Sequence, residues 1–130
     1  MANETVYKAT VDFATKELSV KEKIQLKDAL DCVKLDEASA NSEVIIDVDF
    51  FASVHVHNPM AKENQEYDRL VIVSKDGTKY STSSQSVRNA LVDIWDELVE
   101  AGETADFAVK IFQKPSKKYS GKFFMTCSLV

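Results

Sequence analysis

Glycine is scarce in this chain, with three in 130 residues, none close enough to another to build a phosphate-cradling loop. Proline is limited to Pro59 and Pro115, so no Pro/Gly linker divides the sequence, and residues 1–130 read as one domain. The two cysteines, Cys32 and Cys127, lie far apart on apolar stretches without metal or redox spacing. They read as buried thiols in a reducing compartment rather than as a disulfide. No serine sits on a nucleophile elbow, and neither cysteine has a histidine partner in a recognisable pattern. No apolar run is long enough to span a bilayer, and the start MANETVYKAT lacks the basic and apolar regions of a signal peptide. A cytoplasmic protein without a cofactor is the expectation.

One further absence is local. Residues 1–106 carry 11 Lys/Arg against 21 Asp/Glu, whereas residues 107–130 carry five lysines and no acid. Such asymmetry bears on partners rather than on fold. The bland explanation is that this end packs beside acidic elements of its own protein.

The elements can be read from periodicity. VYKATVDFAT (6–15) alternates as a first strand, and a short helix is expected over 26–33, followed by the loop DEASANSE. VIIDVDFFASVHVH (44–57) is a long strand that must bend or carry a bulge. Strict alternation would put Ile46, Val48, Phe50, Ala52, Val54 and Val56 on one face. Asp47, Asp49, Phe51, Ser53, His55 and His57 would take the other. Residues 67–83 form a hairpin around Asp76-Gly77, a type I′ signal. SQSVRNALVDIWDELVEAGE has the clearest helical period, with Val87, Ala90, Leu91, Ile94, Trp95 and Leu98 on one stripe. Ser84 or Ser86 would cap its start and Gly102 its end. Strands at 106–113 and 122–130, joined by KPSKKYSG, close the chain. This order predicts a mostly β protein with one main helix, an OB-fold-like antiparallel barrel. The alternative is an open α+β sheet with one packed helix.

In the last hairpin Lys110, Phe112, Lys122 and Phe124 fall on the less apolar face, with Lys114, Lys117, Lys118 and Tyr119 in or beside the connecting loop. Rings and cations together are what single-stranded nucleic acid requires, because bases stack on rings and phosphates follow cations. Tyr80 beside Lys79, and Phe51 alone on a polar strand face, are further candidate stacking sites. Two other classes remain open. A small acidic phage or mobile-element protein that binds a host protein, as a DNA mimic or inhibitor, would use the acids at 93–106. A metal-dependent enzyme would use His55 and His57, which share a strand face at i and i+2.

Several residues, taken in order, resemble the single-stranded DNA-binding proteins of phi29-like bacteriophages. They are Lys8, Ala9, Thr10 and Asp12 near the start, then Asp76-Gly77, Tyr80-Ser81, Ser84, Val87 and Ala90. The last are Phe107, Val109-Lys110, Gln113, Ser116, Phe123-Phe124 and Ser128-Leu129. The resemblance covers the first dozen residues and most of 70–130, and leaves 16–66 unmatched. It implies a small, OB-like, non-enzymatic protein that coats displaced single strands during phage DNA replication without sequence preference. It implies stacking on Tyr80 and Phe124; the basic loop with Tyr119 comes from composition alone. Single-stranded DNA is the expected partner, with RNA and self-association along the strand as further candidates.

Overall fold

The computed structural model describes residues 7–28, 30–63, 65–118 and 120–130. The elements run β1 (Lys8–Ala14), α1 (Val20–Lys27), β2 (Val33–Lys34), α2 (Leu35–Ala38), β3 (Val44–His57), β4 (Glu66–Ser74), β5 (Lys79–Thr82), α3 (Gln85–Ala101), β6 (Phe107–Pro115) and β7 (Phe123–Leu129). The strands form one curled sheet in the order β2-β5-β4-β3-β6-β7. β1 shares one edge of β3 with β6: β1 pairs with residues 52–57 and β6 with residues 44–48. All pairs are antiparallel except the two-residue β2–β5 pair, so the sheet is mixed. The result is a mostly β, OB-like half-barrel with one main helix.

β3 organises the molecule. Its register against β4 shifts between Val48 and Phe50, which leaves Asp49 as an extra residue. The bulge exchanges the faces of the strand. Ile46 and Val48 before it, and Phe51 after it, join the core under α3 together with Leu70, Ile72, Val109, Ile111 and Met125. Phe50, Ala52, Val54 and Val56 join a second core on the opposite side, with Val71, Val73 and Leu26 of α1. The single face expected from strict alternation is therefore two half-faces. β4 separates the same two cores by alternation alone, Leu70 and Ile72 to one and Val71 and Val73 to the other.

α3 forms as its sequence pattern requires. Ser84 Oγ accepts from Val87 N, and Gly102 ends the helix in the left-handed region at φ 71°. Val87 and Leu91 are fully buried, each contributing roughly 1.5–3 kcal/mol. The first helix lies earlier than expected, at Val20–Lys27 rather than 26–33. Its start is set by a capping box in which Ser19 and Glu22 satisfy each other's backbone N–H. The loop expected at DEASANSE overlaps the turn α2, which starts one residue earlier at the completely buried Leu35. At the β4–β5 turn, Gly77 N donates to Ser74 O and Ser74 N to Thr78 O, with Gly77 at φ 90°. This is a three-residue loop in place of the expected two-residue turn.

Candidate nucleic-acid interface

β6 and β7 have one face turned to the α3 core and one face uncovered. Phe107, Val109 and Ile111 of β6 and Met125 and Cys127 of β7 point into the core. Burial pushes the Cys127 thiol up to about 12, so it is a packing group rather than a nucleophile. Alternation sends Lys110, Phe112 and Lys114 of β6 the other way, paired across to Ser128, Thr126 and Phe124 of β7. The Phe112 ring is half-buried and bracketed by cations: Lys110 Nζ lies 5.3 Å and Lys114 Nζ 5.5 Å from its centre. Phe124, cross-strand from Lys114, is 42% exposed.

Ile45, cross-strand from Lys110 and 61% exposed, extends this face onto β3. Sequence reasoning missed it, although in Val44-Ile45-Ile46 one of three consecutive apolar residues had to point outward. Phe123, 64% exposed, lines a cleft of about 330 Å³ with Phe112, Gln113 and the segment 39–43. Exposed apolar side chains beside cations make this end of the sheet a candidate interaction surface, with Phe123 set by alternation on the side of Met125 and Cys127 and Phe124 on the side of Phe112. Lys117 and Lys118 in the connecting loop, and Lys122 beside it, are exposed at the same end. Tyr119 lies outside the described residues.

Three candidates are placed elsewhere. Phe51 is 1% exposed and packs edge-on to Trp95 at 5.7 Å and against Phe13 at 6.0 Å. The Asp49 bulge turns it inward, so it is a core residue with no face for a base. Tyr80 is half-buried on β5 opposite Ile72, which faces the α3 core, so it lies on the other side of the sheet from Phe112. Lys79 is drawn inward as well. Its Nζ lies 2.7 Å from both Asp31 Oδ1 and the Gln25 carbonyl, tying β5 to α1 and the segment after it.

His55 and His57 sit in a polar network on β3 and β4. His55 places Nδ1 3.0 Å from Asp68 and Nε2 3.1 Å from Glu66, and His57 Nδ1 is 2.8 Å from Glu66. Arg88 of α3 reaches Ser53 Oγ at 2.6 Å and lies 3.6 Å from Asp68. With a carboxylate at each ring nitrogen, His55 is held above its usual pKa, first by Asp68 and then by Glu66. Among the described residues no group of three or more His, Cys, Asp or Glu side chains is arranged to hold a metal.

The family described as "Phage Single-stranded DNA-binding protein" matches residues 1–130. The chain belongs to that family. No curated protein and no solved structure matches it. The match spans the whole chain, including residues 16–66, where the motif resemblance stops. No helix among the described residues is long and apolar enough to cross a membrane. Among the described residues, the β6–β7 face brings exposed rings and cations together.

Proposed function

We propose that this protein coats displaced single strands during phage DNA replication, in the host cytoplasm, without reading sequence. Phe112 and Phe124 are the stacking rings, and Lys110, Lys114, Lys117, Lys118 and Lys122 follow the phosphates. Tyr119, between Lys118 and Ser120 in the sequence, is a third candidate ring. The observation that carries this reading is Phe112 held between two lysine ammoniums on an uncovered strand face. Stacking is sequence-tolerant because every base presents a π-face, and each stacked base contributes roughly 1–3 kcal/mol.

The formal net charge of −5 fits this role. A local cationic face on an acidic body attracts a flexible strand while limiting adhesion to duplex, whose charge is denser. The test is fluorescence anisotropy of labelled oligo-dT at two salt concentrations, with duplex DNA and oligo-U as competitors. Saturable binding that weakens with salt and resists duplex is expected. Absence of binding at low salt would overturn the reading, and preferential competition by oligo-U would move it to RNA.

A further inference from the structure

The β6–β7 face leaves two helix surfaces unexplained. α1 buries only Leu26. Its outward stripe exposes Val20 at 74% and Ile24 at 63%, flanked by Lys21, Lys23 and Lys27. α3 shows the complementary pattern near its C-terminal end: Val99 is 52% exposed beside Asp96 and Glu100 of the same helix, and Glu103 follows just past the Gly102 cap, all three acids exposed. No ion pair joins any of these lysines or acids to a partner among the described residues. Each surface is thus an apolar knob in a collar of one charge, and the two collars are opposite in sign.

Their placement matters as much as their chemistry. α1 packs on Val71 and Val73, whereas α3 packs on the side of Leu70 and Ile72. Alternation along β4 puts these on opposite faces of the sheet, so the two surfaces point away from each other. A contact between α1 of one copy and α3 of the next leaves both outer surfaces free. Such a heterologous contact repeats instead of closing.

α1 shares its side of the sheet with Lys110 and Phe112. However, the carboxylates of Asp47 and Asp49, both exposed, stand on that side between α1 and the β6–β7 face. Phosphates are repelled there, so α1 is poorly placed to continue the same DNA track.

We propose that α1 of one molecule docks on α3 of its neighbour, Ile24 against Val99 and Lys21, Lys23 and Lys27 against Asp96, Glu100 and Glu103. The partner is a second copy of this chain. The contact is small and exposed, hence weak between free molecules. It becomes effective when one strand holds two copies side by side and raises their mutual concentration. In that use it rests on the coating function, though the contact itself does not require DNA.

The test is a charge swap. One variant carries Lys21→Glu, Lys23→Glu and Lys27→Glu; the other carries Asp96→Lys, Glu100→Lys and Glu103→Lys. Sedimentation velocity without DNA should show salt-sensitive, concentration-dependent association of the wild type. Each variant alone should associate about tenfold more weakly, and their equimolar mixture should regain the wild-type behaviour. On DNA, all forms should bind equally to an oligonucleotide that holds one copy. Only the wild type and the mixture should load a long oligo-dT cooperatively.

Three results would overturn the proposal: a wild type that stays monomeric and loads long strands without neighbour effects, variants that associate like the wild type, or an α1 variant that loses short-oligonucleotide binding. The last would make α1 a DNA contact. Swap-restorable association without any oligonucleotide binding would sustain the docking contact and sink the coating function.

Discussion

Replacing Phe112 with alanine separates the stacking and ionic contributions on the β6–β7 face. The ring is half-buried, with Lys110 and Lys114 ammoniums 5.3 and 5.5 Å from its centre. If one base stacks on it, the loss is roughly 1–3 kcal/mol, or about 5- to 150-fold in affinity. Losing the ring also removes cation–π contacts of roughly 0.5–1 kcal/mol each at an exposed site, which help hold the lysines in place. Because the ring is not a core residue, the cost to folding should stay near ~1 kcal/mol, small against a total of about 5–15 kcal/mol. The two mechanisms differ in salt dependence. Phe112→Ala should lower affinity at every salt concentration and leave the slope of log K against log salt unchanged. Lys110→Gln and Lys114→Gln should each flatten that slope by ~0.7. Anisotropy titrations of oligo-dT over a salt series measure both quantities, with urea melts to confirm folding. A folded Phe112→Ala protein that binds within about twofold of the wild type would refute the assignment of this ring.

Phe51→Ala should cost about 3–5 kcal/mol of stability in urea denaturation, because it empties a site packed against Trp95 and Phe13; a stable variant with selectively weakened DNA binding would contradict that placement. Lys79→Met should destabilise by about 1 kcal/mol, the low end because Asp31 is exposed, while leaving the salt slope of DNA binding unchanged. A slope lowered by ~0.7 would mean that Lys79 reaches phosphate after all. His55, raised by Asp68 and then Glu66, contributes fully below the ordinary histidine pKa, and that contribution is lost as pH rises through its raised value. Glu66, lowered by His55 and then His57, contributes above the ordinary carboxylate pKa and loses it as pH falls through its lowered value. Thermal melts across pH should therefore show a decline above the ordinary histidine pKa that His55→Gln flattens; an unchanged profile in the variant would count against the network.

What the sequence revealed, and what it hid, follows from the range of the forces involved. α3 was legible because its apolar stripe, N-cap and C-terminal glycine are all local and agree. The β6–β7 face was legible because two strands of period 2 assign each residue a side without further information. α1 was displaced from 26–33 because Ile24, Leu26, Leu30, Val33 and Leu35 follow no clear period, and Ile24 and Leu30 are 63% and 97% exposed; the short-range signal that decides the helix is the Ser19–Glu22 box. Phe51 was placed outward because its neighbours two residues away are Asp49 and Ser53, and no local pattern reveals an extra residue in a strand apolar on both sides. The adjacent pair Phe50-Phe51 was the available hint, since two consecutive rings in a strand seek cover on two faces. Lys79 is recruited across 54 residues of sequence, beyond any local pattern.

At Asp49 the number of residues matters more than which residue it is. The side chain is exposed, so Asp49→Ala should leave the fold intact. Deleting the position would instead turn the following strand residues over by one step of the pleat. His55 and His57 would be driven toward the apolar layer under α1, and Val54 and Val56 toward the carboxylates of Glu66 and Asp68. A chain of this family could then vary freely in identity at this position while its length there stays fixed, so an alignment gap opening inside β3 would signal a different core and not a mere loop variant.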